Sequence, residues 1–204
     1  MQSRVFLLSP ASTGGRRAQL LFNDSAAFPL ALAVREPRGA TLGDVFSFLS
    51  GLYFRGKLAY ASRFAAPPAG VPGALVITSS RGLLPPDTRI DLGVLREFAA
   101  VPIDLLEERY REPLVRHALR LRDTIGEQAE VVLLGSIATD KYVSLLQDVF
   151  GDRLKFPIEF VGRGDMSRGG LMLRCIDSET ELTYKPIAGA ERRGQRPPKL
   201  SKRQ

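Results

Sequence analysis

Between Phe160 and Gly170 the chain runs Phe-Val-Gly-Arg-Gly-Asp-Met-Ser-Arg-Gly-Gly, which sets Arg163, Asp165, Ser167 and Arg168 among four glycines. Glycine lets a backbone come close to a ligand, and two guanidinium groups can chelate a phosphate or carboxylate with forked hydrogen bonds. On such a loop Asp165 is the candidate acid–base group, or orients a base edge. The same residues would equally serve an Arg–Asp ion pair on a surface loop. A second cluster, Tyr53-Phe54-Arg55-Gly56-Lys57, mixes aromatic rings with cations, as a base-stacking or phosphate-contacting site does. Phe54 is assigned to the core, leaving Tyr53 and Arg55 as the ligand-binding candidates there.

Three further candidates are positional. Ser9 follows the first apolar run, Ser79 and Arg81 follow the second, and Ser136 opens the stretch Ser136-Ile137-Ala138-Thr139 after the third, with Lys141 two residues on. In parallel α/β sheets ligands bind beyond the carboxyl ends of the strands, so loops at those ends can converge on one site. The alternative is that small polar residues only make the turns and cap the helices. The Gly135–Thr139 stretch also suits an anion at a helix N-terminus, with Lys141 serving it, although no second Gly-Lys-Ser/Thr follows to make a P-loop.

The elements that must position these residues alternate between strands and helices. Arg4–Leu8, Ala74–Ile77 and Val131–Leu134 are short apolar runs of buried-strand type. Ala18–Phe22 is expected to pair with the first as a hairpin. Thr41 caps a helix through Leu42, Val45, Phe46, Leu49 and Leu52 that breaks near Tyr53, followed by another from about Lys57 to Phe64. Helices are expected over Asp91–Phe98, along the face Leu106, Tyr110, Leu114, His117 and Leu121, and from about Thr139 to Phe150. Leu154–Phe160 adds a strand, and Leu171–Ile176 with Glu181–Tyr184 a closing hairpin. The expected fold is thus α/β: a single domain with a mainly parallel central sheet, flanking helices and a C-terminal antiparallel hairpin.

Composition narrows the function classes. One cysteine, Cys175, and one histidine, His117, leave little material for a disulfide, a His/Cys metal site or a Ser-His-Asp triad. His117 falls on an apolar helix face and is read as a packed residue. No metal and no cofactor is expected. Met1–Pro10 lacks the apolar length of a secretory signal, and Leu42–Phe54 is too short for a membrane span, so a cytoplasmic protein without membrane contact is expected. The net charge of +7 is concentrated: residues 191–204 hold six cations against one anion, leaving +2 for residues 1–190. Residues 1–190 are therefore read as the domain, and 191–204 as a basic, disordered tail able to attract phosphate.

Phe6-Leu-Leu-Ser-Pro-Ala11 is similar to the opening strand and loop of the YaaA peroxide-stress proteins. Leu52-Tyr-Phe-Arg-Gly-Lys-Leu-Ala-Tyr-Ala61 and Val76-Ile-Thr-Ser-Ser-Arg-Gly-Leu-Leu-Pro-Pro-Asp87 resemble, in order and character, segments of YaaA-like domains of unknown function. The resemblance implies an α/β core, DNA binding and protection from oxidative damage. Two functions are carried forward. One is a nucleic-acid-associated stress protein that contacts phosphate through the arginine segment and the tail. The other is an enzyme acting on a nucleotide or another phosphorylated, anionic small molecule, with Asp165 as acid–base group and Arg163, Arg168 and Lys141 as anion clamps.

Overall fold

The computed structural model describes residues 2–198 and 200. β1 (Arg4–Leu8), β3 (Ala74–Ile77), β6 (Glu130–Leu134) and β7 (Leu154–Pro157) run parallel, and β4 (Leu83–Leu84) and β8 (Tyr184–Pro186) add antiparallel edges in the order β4-β3-β1-β6-β7-β8. β2 (Ala40–Thr41) and β5 (Arg89–Ile90) form a separate two-stranded ribbon. The protein is α/β with a mostly parallel sheet, as expected. β1 is buried on both faces because helices cover both. Phe6 and Leu8 point into one core with Val76, Val132 and Leu134, while Val5 and Leu7 point into the other with Leu75, Ile77, Val131 and Leu133.

α1 (Arg16–Phe22), α2 (Pro29–Arg35), α3 (Leu42–Ser50), α4 (Leu52–Phe64), α5 (Leu92–Ala100) and α8 (Asp165–Asp177) supply residues to the first core. α6 (Glu108–Ile125) and α7 (Val143–Phe150) fill the second. Thr41 and Asp91 cap α3 and α5, each accepting a hydrogen bond from the N–H three residues on. No helix among the described residues is long and apolar enough to cross a membrane.

Several local expectations are corrected. Ala18–Phe22 belongs to α1 rather than to a hairpin: Ala18 and Leu21, three apart, are the buried residues of a one-sided helix. The break after α3 falls at Gly51, where φ is +61°, and Gly56 lies inside α4. Leu106 is exposed ahead of α6. Residues 135–142 form an irregular connection, so α7 starts at Val143 rather than near Thr139. Leu171–Ile176 is not a strand, since α8 contains it; the C-terminal antiparallel pair joins β8 to β7 instead. Short 3-10 turns at Gly151–Arg153 and Ile158–Phe160 flank β7. In the tail, residues 191–196 are exposed, and Arg192 is ion-paired with Asp140. Lys199 and residues 201–204, with Lys202 and Arg203, lie outside the described residues.

The largest correction concerns the glycine-rich arginine segment, which is mostly helix. Gly164 caps the helix, Gly162 turns the chain at φ +71°, and Gly169 serves a helix crossing. A Cβ on Gly56 would lie 2.8 Å from the Gly169 carbonyl oxygen, and one on Gly169 would lie 2.7 Å from that of Leu52 and 2.9 Å from Tyr53 Cα. α4 and α8 thus touch backbone to backbone. Alanine normally favours a helix interior over glycine by about 1 kcal/mol. At this crossing the expected sign is reversed: Gly56→Ala and Gly169→Ala each destabilise by about 1–3 kcal/mol in chemical denaturation. Gly170→Ala, whose Cβ first meets the flexible Arg174 guanidinium at 3.2 Å, is neutral or stabilising. Equal effects at all three positions would contradict the close crossing.

Candidate active site

The carboxyl ends of β1, β3 and β6 open into one cavity of about 770 Å³, within the range of small-molecule sites. Ser9, Ser79 and Ser136 line it from the three strand ends. Tyr53 of α4 and Asp165 of α8 line it from the helical side, and Lys141 and Tyr142 from the end of the 135–142 connection. Six of the sequence-expected residues, namely Ser9, Tyr53, Ser79, Ser136, Lys141 and Asp165, therefore come together. Arg55, Arg81, Arg163, Ser167 and Arg168 are not among the lining residues.

Local structure explains the division. Arg55 is exposed on α4. Arg81 grips both oxygens of Glu97, holding that carboxyl below its usual range, and Ser80 donates to the same group. Arg163 donates to the Glu159 carbonyl at 3.0 Å and to Ser167 Oγ at 3.2 Å, which ties the end of the 3-10 turn to the first turn of α8. Arg168 is buried beneath the cavity, donating to the Phe160 carbonyl at 3.2 Å and lying 3.4 Å from Asp165 Oδ1. Ser79 Oγ donates to the Phe98 carbonyl at 2.8 Å, and Thr13 Oγ1 to the same oxygen at 3.3 Å, so the end of α5 fixes two of the loops. Lys141 is exposed, while its carbonyl accepts from Tyr110 at 3.0 Å. His117 packs against β4, its Nδ1 3.0 Å from the Leu83 carbonyl oxygen and away from the cavity.

The residue missed in the sequence is Lys57. One helical turn beyond Tyr53, it is fully buried, with Nζ 2.5 Å from the Ser9 carbonyl oxygen and 2.9 Å from Ser9 Oγ. The rings of Tyr53 and Phe54 stand 4.4 Å and 4.8 Å away, measured to their centroids. Burial pulls the ammonium down to about 7, against a partial opposing effect of Asp165 and a reinforcing one of Arg168. The signal was in the sequence: the i, i+4 spacing of Tyr53 and Lys57 places them on one face, and the neighbouring apolar positions bury that face.

Ser9 is held from the other side as well. Its N–H donates to the Leu134 carbonyl at 3.2 Å, extending the β1–β6 pairing. A Cβ on Gly135 would come within 2.8 Å of Ser9 Cβ and 3.0 Å of Tyr142 Oη. Tyr142 donates to the Ser136 carbonyl at 3.0 Å, and its phenol is raised by burial, with the nearby Ser9 hydroxyl opposing that shift. The Tyr53 hydroxyl, also buried, has no hydrogen-bond partner among the described residues; burial raises its phenol, and the neighbouring Arg168 only moderates the rise. Chemically, an amine that is partly neutral near pH 7 can, in that form, take a proton from the hydroxyl it touches. Among the described residues no cluster of three or more His, Cys, Asp or Glu side chains is placed to hold a metal ion.

No family model, curated protein or solved structure matches the chain. The segments at residues 6–11, 52–61 and 76–87 contain Ser9, Lys57 and Ser79, which the fold brings to one place.

Lys57 makes stability depend on pH in a defined direction. Between about 7, its value in the fold, and 10.5, its ordinary value, the unfolded chain holds a proton that the folded one lacks, so unfolding becomes harder as pH rises. Below that window the penalty is constant. From about pH 7.5 to about pH 9.5 the unfolding free energy of the parent should therefore climb by about 1.4 kcal/mol per pH unit more than that of Lys57→Met. Parallel pH profiles would mean that Lys57 keeps its charge in the fold.

Proposed function

We propose that the protein is an enzyme that binds a nucleotide or another phosphorylated metabolite in the cavity beyond β1, β3 and β6. The observation that carries this reading is the convergence of three strand-end serines on one cavity above a desolvated lysine. Burying a lysine costs stability, and groups whose basicity is perturbed in this way concentrate at functional sites. Lys141, the exposed cation of the lining, would meet a phosphate, while the Asp165 carboxylate offers an acceptor to the rest of the ligand. Phe46 and Phe98 add apolar wall.

The ion pair between Arg192 and Asp140 favours a second reading, that of a nucleic-acid-associated protein. Asp140 lies between the cavity residues Thr139 and Lys141, so the start of the basic segment is fastened at the rim. A strand end or an unstacked nucleotide could then enter the cavity while the tail meets its phosphates. This is also the function that the YaaA-like segments imply.

Titration separates the two. A 5′-mononucleotide at about a hundred times its Kd is expected to stabilise the fold by about 2.7 kcal/mol, and Lys141→Ala to weaken that binding about tenfold. If instead only single-stranded DNA binds, with affinity falling steeply as salt rises and lost on removal of residues 191–204, the nucleic-acid reading replaces the first. Absence of any effect on stability from mononucleotides and from a panel of other phosphorylated metabolites, with no DNA binding either, contradicts both.

A further inference from the structure

We propose that Ser9 is a nucleophile and Lys57 its general base, a Ser–Lys pair that accepts an acyl group from an ester or thioester bound in the cavity. The inference rests on the small-molecule reading above and adds the chemistry. Ser9 and Lys57 divide the work by position: Ser9 lines the cavity, whereas Lys57 is fully buried behind it and, among the described residues, hydrogen-bonds to Ser9. A substrate therefore meets the hydroxyl first, and the amine acts from behind it on the protons of the oxygen or sulfur atoms bonded at the acyl carbon. The 2.9 Å separation of Lys57 Nζ and Ser9 Oγ is a proton-transfer distance. The carbonyl of Ser9 accepts a second hydrogen bond from the same nitrogen, which fixes the amine's orientation toward Oγ.

The surroundings of Lys57 suit a base rather than a charge. α4 contributes the faces of Tyr53 and Phe54, and α8 contributes the Asp165 carboxylate and the Arg168 guanidinium, whose effects on the amine oppose one another. Tyr142, in the segment ahead of α7, stands on the far side of Ser9. Desolvation by this box brings the amine to about 7, where an appreciable fraction is neutral under ordinary conditions. Serine–lysine pairs of this kind replace the serine–histidine arrangement on several unrelated folds, which removes the need for the histidine the cavity lacks.

The step balances without any oxidant or reductant. Ser9 Oγ forms a bond to the carbonyl carbon as its proton passes to Lys57 Nζ; the bond to the leaving alcohol or thiol breaks, and that group takes the proton from Lys57. Water then attacks the acyl-serine, Lys57 accepts its proton, and the proton returns to Ser9 Oγ as the acid is released. An acyl group is favoured over a transferred phosphoryl group because the charged residues of the lining are Lys141 and Asp165, one of each sign. A transferred phosphoryl group calls for several converging cations.

A fluorophosphonate probe tests the pair, because an activated serine displaces fluoride and keeps the phosphonyl group. The full chain is expected to gain one adduct, located by peptide mass spectrometry at Ser9, and Ser9→Ala to gain none. The labelling rate of the parent should rise about tenfold from pH 6 to pH 8 and then level off, following the neutral fraction of an amine near 7. Lys57→Met, if its circular dichroism and melting profile match the parent's, should label about 10²-fold more slowly or worse. Should that variant fail to fold, the pH profile of the parent decides. An unlabelled parent, an adduct elsewhere, or a rate that ignores both pH and Lys57 overturns the proposal. Ser9→Ala keeps the cavity, so stabilisation of that variant by a 5′-mononucleotide shows whether the binding reading survives independently of the pair.

Discussion

No atom larger than hydrogen fits on the facing sides of α4 and α8 where Gly56 meets Gly169, and this contact sets the distance on which the site depends. With any other residue there the helices would part, and water would reach the segment of α4 that follows. Lys57 is that segment. Its lack of exposure, and hence its lowered affinity for a proton, is a consequence of two missing side chains on neighbouring helices. The same crossing positions Arg168 and Asp165 next to Tyr53 and Lys57, so that one close approach assembles the buried half of the cavity.

The other half comes from the sheet. β1 lies between β3 and β6, and its carboxyl end is where connections leave toward opposite edges. Ser9 is the first residue past that end. It is pinned by Leu134 through its amide and by Lys57 through its carbonyl and hydroxyl, while Gly135 and Tyr142 close on it from the side. Fixed geometry of this kind matters for reactivity, since a nucleophile that needs no reorganisation loses less on reaching the transition state. The loops around it are held by carbonyl oxygens already in use, as Phe98 shows by accepting from both Thr13 and Ser79.

Much of this was legible in the sequence, for reasons that differ from residue to residue. The apolar runs of β1, β3 and β6 stand out because a strand covered on both faces has no polar positions. Their ends then located Ser9, Ser79 and Ser136 by the geometry of parallel sheets alone. What misled was glycine. In the 160–170 segment it signals a loop by propensity, yet Gly169 and Gly170 sit inside α8, where tertiary contact outweighs a helix cost of about 1 kcal/mol. Gly51 and Gly56 together suggested a break near Tyr53; Gly51 makes it, while Gly56 lies inside α4. With a break near Tyr53, Tyr53 and Lys57 fell on separate elements, and the lysine stayed out of view. Arg163 and Arg168 attracted attention as free cations, although each is held by the backbone of the turn that precedes it. Such bonds are tertiary and leave no periodic trace.

Whether the fold holds Lys57 dry against Ser9 is read most directly from the titration of its side-chain nitrogen by NMR, assigned by comparison with Lys57→Met. The structure predicts a midpoint about 7, with the Ser9 resonances shifting through the same transition. A midpoint near the ordinary 10.5, with Ser9 unaffected, would show a hydrated ammonium and contradict the account.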